Sequence, residues 1–241
     1  MINAVILAAG TSSRLYPLTK EIPKCLLKVG GKEIISIQIE MLRSVGIKNI
    51  TIVTGYQAEK IKEFVPSDIN ILFYPKFRET NNLMTLKSVS DSLSGDTLIM
   101  FSDLLLSFSY LRELIDSPHE CTMGIDKREI LKTTMFVETS EKRVMDVGPH
   151  IIEDKRSGNF IGMAFFKNRF VNILKHELES ISKDNSKFID KYYTEIIRNL
   201  IQEDNIVNFL EFTNNQVWYE IDTPEEYEEC KELNINRFAL S

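Results

Sequence analysis

The chain has 241 residues, enough for one large domain or two small ones with a substantial core. Its 43% hydrophobic and 27% charged residues are ordinary for a soluble globular protein. With 29 Lys and Arg against 35 Asp and Glu the net charge is -6, which argues against a nucleic-acid binder working by phosphate neutralisation but leaves room for a small anionic ligand in a local cationic pocket.

In chain order, the apolar run Ala4-Val5-Ile6-Leu7-Ala8 ends at Gly10 and reads as a strand buried on both faces. Residues 32–45 carry a broad apolar side and precede Gly46, a helix stop. Residues 50–54 and 69–73 predict strands, with a helix over 57–65 between them. Thr80 or Asn81 is placed to cap a helix carrying Leu83, Leu86, Val89 and Leu93. Residues 97–101 form a fourth buried strand ending in Ser102-Asp103. This alternation means βαβ units and a parallel sheet. The middle differs: strands over 121–125, 135–138, 143–147 and 160–166 have no long helices between them and predict antiparallel additions. Helices follow over 169–181 and 190–202, strands over 207–212 and 217–221, and a last helix over 224–233. No repeat or flexible linker interrupts the chain, so a single mixed α/β domain over residues 1–241 is expected.

No apolar run approaches the roughly 18 residues that cross a bilayer, and the N-terminus lacks the basic-then-apolar order of a secretory signal. Cys25, Cys121 and Cys230 are odd in number and far apart, so neither a disulfide framework nor a CxxC metal site is expected. His119, His150 and His176 show no ligand spacing. A reduced, cytoplasmic protein without membrane insertion or nucleic acid is the expectation.

The most specific segment follows the first strand. Residues 7–24 read L-A-A-G-T-S-S-R-L-Y-P-L-T-K-E-I-P-K. The small residues let backbone N–H groups approach phosphate oxygens. Arg14 adds a planar charged fork, and Lys24, ten residues later, a second cation for a different phosphate. A glycine-serine loop alone is more often a plain turn with surface charges; the full string is far more specific. It resembles the signature loop L-A-A-G-x-G-x-R-L-x-P-L-T-x3-P-K of nucleotidyltransferases that activate phosphorylated small molecules with a nucleoside triphosphate. Its Arg-to-Lys spacing matches the sugar-1-phosphate and phosphocholine branches. Ser12 stands where a second loop glycine is common, and Cys25 where Ala or Pro is usual. Thr54-Gly55-Tyr56 follows the second strand as in this family, and Asn81-Asn82-Leu83-Met84-Thr85-Leu86 resembles a stretch of the bacterial CTP:phosphocholine cytidylyltransferases. Tyr219 to Tyr227 resembles the family's late segment, with its metal carboxylate and following helix.

The resemblance implies a Rossmann-like, GT-A-like fold, with a mixed, mostly parallel sheet flanked by helices. Residues 1–115 would bind nucleotide and 116–241 the acceptor. It implies that Leu7, Ala8, Ala9, Gly10, Thr11, Ser12 and Ser13 wrap the triphosphate, with Arg14 and Lys24 as the catalytic cations. Asp103 and Asp222 each end a strand. Each reads singly as a turn or capping residue, and as a pair they match the positions that hold Mg²⁺. Asn81 or Asn82 caps a helix, and the other has the donors and acceptor to read a pyrimidine, with Thr85 one turn on. Gly162 inside a β-rich run fits close backbone approach by the acceptor. Tyr192 to Glu195 resembles the stretch in which the phosphocholine enzymes hold a quaternary ammonium with an aromatic and an acid: Tyr193 matches the aromatic, Thr194 takes the place of the acid, and Tyr193 and Glu195 are the acceptor candidates; alternatively Tyr192 and Tyr193 lie on a helix half-buried against the sheet. Glu153 to Arg156 reads as a solvated turn. The expected activity is Mg²⁺-dependent transfer of CMP from CTP to a small phosphorylated or phosphonate acceptor, with release of pyrophosphate. A sugar-1-phosphate nucleotidylyltransferase is the second reading and a non-catalytic nucleotide-binding module the third. A homodimer is compatible with all of them.

Overall fold

The computed structural model of the protein describes residues 1–131, 135–181, 186–235 and 238. The chain begins with β1 (Ile2–Ala8) and a long loop, then the hairpin strands β2 (Lys28–Val29) and β3 (Lys32–Glu33), which lead into α1 (Ile34–Ser44). Next come β4 (Asn49–Thr54), α2 (Ala58–Phe64), β5 (Asn70–Phe73), α3 (Asn82–Lys87), β6 (Asp96–Phe101), β7 (Leu104–Leu106), α4 (Phe108–Ile115) and β8 (Cys121–Asp126). The rest is β9 (Met135–Ser140), β10 (Arg143–Gly148), β11 (Gly158–Phe166), α5 (Asn168–Ser180), α6 (Thr194–Gln202), β12 (Asn208–Glu211), β13 (Trp218–Glu220) and α7 (Pro224–Cys230).

Nine strands form one sheet in the order β5-β4-β1-β6-β11-β8-β12-β10-β9. It is parallel through β5, β4, β1 and β6, then β11 runs antiparallel to both β6 and β8. β8 therefore points the same way as β1 and β6, and Gly10, Asp103 and Asp126 emerge at one edge. Ligands of open α/β sheets gather at such an edge. Each face of the sheet has its own apolar layer, one under α3, α5 and α6 and the other under α1, α2 and α4. A third cluster joins Leu15 and Leu27 of the loop after β1 to Ile34, Leu105, Ile221 and Cys230. It ties the first and last parts of the chain together.

Four expectations shift. The helix expected to carry Leu83, Leu86, Val89 and Leu93 ends at Lys87, and a separate 3-10 turn over Ser90–Ser92 follows, so Val89 and Leu93 reach the core from outside it. The helix expected from residue 32 starts at Ile34, because Lys32 and Glu33 pair with Val29 and Lys28. The helix expected over 190–202 starts at Thr194, because residues 189–193 hydrogen-bond to the start of α3 instead. The strand after residue 216 leaves the main sheet: β13 pairs antiparallel with β7, placing Glu220 opposite Leu104. Neither β7 nor α4 stood out in the sequence, since Leu104-Leu105-Leu106 carries no periodicity of its own. Among the described residues no helix is long and apolar enough to cross a membrane.

Candidate active site

At the end of β1 the chain leaves the sheet at Ala9, whose carbonyl accepts from the Tyr56 N–H at 3.0 Å. Ser12 then adopts a left-handed conformation with φ 51°, and its carbonyl accepts from Leu15 N–H at 3.1 Å and Thr19 Oγ1 at 2.7 Å. That backbone geometry explains why glycine is common at this position in the resembling loops. The loop walls a cleft whose floor carries Lys24, Ser102 and Asp103, with Thr85, Asn81 and Asn82 opposite. Leu7, Ala8, Ala9, Gly10 and Ser12 line the cleft; Thr11 and Ser13 lie on the loop without lining it.

Charge is concentrated at the floor. The Lys24 ammonium binds both Asp103 and Asp222, the latter at 2.5 Å. Arg14 reaches Asp222 from the solvent side at 2.6 Å. Burial works against a charged Lys24, but the two carboxylates outweigh it and hold its pKa above the ordinary value. Asp103, Glu220 and Asp222 bring carboxylate oxygens within 4.8 Å of one another. Glu220 is the member that the sequence reading passed over. Burial, and then the neighbouring Asp103 and Asp222, push its carboxyl up to about 8. Asp103 Oδ1 is buried without a hydrogen-bond partner. An orphaned carboxylate oxygen in an all-oxygen donor set suits a hard divalent cation such as Mg²⁺. The signal for Glu220 was present: Glu220-Ile221-Asp222 alternates in extended chain, which places both acids on one face. Asp222 is held in turn by α7, where Thr223 and Glu226 form a reciprocal cap and Glu226 accepts from the Asp222 N–H at 2.7 Å.

The asparagines supply the expected helix cap and a further contact, and both line the cleft. Asn81 caps α3, its side chain accepting from the Asn82 N–H at 2.8 Å. Asn82 Oδ1 accepts from the Tyr193 N–H at 2.7 Å, and the Asn81 N–H reaches the Ile189 carbonyl at 2.7 Å. The pair therefore straps residues 189–193 against the nucleotide cleft. Through that strap Tyr192, not Tyr193, lines the cleft.

The acceptor-side residues named from the resemblance sit further back. Tyr193 is fully buried, edge-on to Phe101 at 5.6 Å and Phe160 at 5.8 Å. It begins the series Tyr193, Ile196, Ile197, Leu200, a helical spacing that turns it toward the core. Glu195 pairs with Arg198 at 3.7 Å and Lys191 at 3.9 Å and does not line the cleft. Gly162 has φ +83° beside an irregularity in β11, and a Cβ there would lie 2.5 Å from the Phe101 ring. Its lack of a side chain makes room for the Phe101 ring, which lines the cleft, whereas Gly162 itself does not.

The chain is similar to several known proteins. The family model described as nucleotidyl transferase matches residues 3–116. The CTP:phosphoglutamine cytidylyltransferase of Campylobacter jejuni is 32% identical, over 92% of this chain and 96% of that protein. The choline-phosphate cytidylyltransferase of Streptococcus pneumoniae is 26% identical, over 98% of this chain and 99% of that one. A solved structure of the CTP:phosphocholine cytidylyltransferase from Streptococcus pneumoniae superposes with a TM-score of 0.80 at 27% identity, over 96% of this chain and 98% of that one. A signature loop, a buried lysine between carboxylates and whole-length relatives thus agree, and the chain belongs to the nucleotidyl transferase family.

Proposed function

We propose that the protein transfers CMP from CTP to a small phosphorylated or phosphonate acceptor and releases pyrophosphate. The observation that carries this reading is the Lys24 ammonium, buried beside Asp103 and Asp222 at the floor of a cleft walled by the glycine-serine loop. Relatives named for phosphoglutamine and phosphocholine support the acceptor class.

In the reaction an ionised acceptor oxygen bonds to the α-phosphorus while the bond from that phosphorus to the bridging β-phosphate oxygen breaks. Pyrophosphate leaves with the electron pair. No general base is needed, because the attacking oxygen is already ionised. Both reactants are anions, so the barrier lies in repulsion and orientation. Backbone amides of residues 10–13 and the Arg14 guanidinium hold the triphosphate. Arg14 is largely exposed and free to exchange its Asp222 contact for phosphate oxygens. Lys24 bridges the α-phosphate and the incoming acceptor phosphate. Asn81, Asn82 and Thr85 face the base and ribose. Phe101, seated on Gly162 and backed by Tyr193, forms an aromatic wall with Tyr192 at the acceptor end, and Glu195 steadies the helix behind it. Asp103, Glu220 and Asp222 would hold Mg²⁺, which neutralises charge on the phosphates when bound. Residues 1–115 supply the nucleotide side and 116–241 the acceptor side, with Glu220 and Asp222 reaching back to complete the metal site.

The test is pyrophosphate release with Mg²⁺, crossing CTP, UTP, dTTP, GTP and ATP with phosphocholine, phosphoethanolamine, 2-aminoethylphosphonate, glycerol phosphate and several sugar 1-phosphates. Release with CTP and a phospho-alcohol or phosphonate is expected. Release only with a sugar 1-phosphate would move the protein to that branch. Tight CTP binding without release from any acceptor would make it a nucleotide-binding module.

A further inference from the structure

Glu220 and Asp222 rest on a thin support. β13 has three residues and pairs with β7 in a two-stranded ribbon outside the main sheet. Such a ribbon is marginal in water unless something packs or pins it. Trp218 and Glu220 are two residues apart in extended chain and share a face. Whatever fixes the Trp218 indole therefore fixes the rotation of β13 about its own axis, and with it the aim of Glu220.

The indole is fixed by the main sheet. Its N–H donates to Asp126 Oδ2 at 2.7 Å, and Asp126 is the buried last residue of β8. Arg128 grips the same carboxylate with Nε to Oδ1 at 2.9 Å and Nη2 to Oδ2 at 2.7 Å. The guanidinium also sends Nη1 to the Gln216 carbonyl at 2.9 Å, two residues before β13 begins. The Trp218 ring packs on Phe212, which stacks on Tyr110 at 3.6 Å. Burial favours a neutral Asp126, but the hydrogen bonds from Arg128 and Trp218 outweigh it and keep the carboxylate ionised. The sequence reading assigned no role to Asp126 or Arg128, and the proposed chemistry uses neither.

We infer that Asp126, acting through Trp218, is a positioning residue for the metal site: it holds β13 in the rotation that aims Glu220 and Asp222 at one cation. The inference rests on the metal-dependent reading above. Groups hydrogen-bonded directly to a metal ligand alter metal affinity by about 10–100-fold when removed, and that scale is carried over to Asp126, which acts one contact further out through Trp218.

Trp218 is the only tryptophan of the chain, so its emission reports this contact directly. The experiment compares the wild-type chain with Trp218→Phe, which deletes the N–H and keeps a ring, and Asp126→Ala, which deletes the acceptor and keeps the reporter. Mn²⁺ binding in the presence of CTP is measured by electron paramagnetic resonance on samples shown by circular dichroism to be folded. Both variants are expected to bind Mn²⁺ about 10–100-fold more weakly, with CTP binding in EDTA unchanged. Asp126→Ala is also expected to shift the tryptophan emission to the red. Should Asp126→Ala fail to fold, the milder Trp218→Phe decides alone. Wild-type Mn²⁺ affinity in the folded variants would overturn the positioning role and leave the metal reading standing. Absence of Mn²⁺ binding by the wild-type chain would overturn both.

Discussion

The loop after β1 and the segment from β13 into α7 meet at one knot of charge, where Arg14 and Lys24 of the first touch Asp222 of the second across about 200 residues of chain. They are held there in different ways. The loop closes on itself: Ser12 accepts from Leu15 and Thr19, and Leu26 and Leu27 bond back to Pro23 and Lys24. The second segment is pinned from afar, by Asp126 on Trp218, by Ser107 on both backbone groups of Val217, and by Leu104 to Leu106 along its edge. Local hydrogen bonds make the loop a preformed wall of the cleft, the shape that the proposed triphosphate site needs. Long-range ones make the carboxylates conditional on the rest of the fold being in place.

The largest effect should come from the residue the two regions share. Lys24→Ala is expected to cut pyrophosphate release by on the order of 100–1000-fold, as when one preorganised charge is removed from a transition state. Nucleotide affinity should fall much less; calorimetry with CTP beside steady-state turnover separates the two. Unchanged turnover would remove Lys24 from the chemistry and leave it a structural bridge between the regions. A middle-sized effect is expected at the strap. Asn82→Ala removes the acceptor of the Tyr193 N–H and should cost about 1–3 kcal/mol in urea unfolding, the range for stranding one buried partner. Full stability would remove the strap role, while a changed CTP:UTP preference is the outcome expected from the base-facing role proposed for the same side chain. The smallest effect tests how self-contained the loop is. Ser12→Gly relieves the left-handed strain and should raise stability by about 0.5–1 kcal/mol in the same unfolding measurement, with turnover retained. A loss of stability would mean that the Ser12 side chain does more for the loop than its strain costs.

Legibility followed the same division. Gly10, Arg14, Lys24 and Asp103 were readable because they sit in one unbroken string or at the end of one buried strand. The parallel sheet through β6 followed from alternating apolar runs. The later half was read for its elements but not for its contacts. Glu220 was hidden beside the more familiar Asp222, although their alternation placed both on one face. Tyr192 and Tyr193 are adjacent and chemically identical in sequence; only the helical series of α6 decides which ring is buried and which lines the cleft. The pattern around Gly162 shows that something approaches its backbone closely, and only the fold shows that the Phe101 ring does so.

What the sequence determined by itself was the local chemistry: a small-residue loop after the first strand, two cations at a set spacing, carboxylates at strand ends and the order of most strands and helices. Those depend on neighbours a few residues away, which the chain carries with it. The tertiary structure alone decided that Lys24 lies between Asp103 and Asp222, that Glu220 joins them, and that Asp126 and Trp218 hold the late carboxylates in place. Those depend on pairings across about 80 to 200 residues. They exist only after the sheet has brought β1, β6 and β8 to a common edge, because no short-range pattern specifies which distant charges will share one small volume.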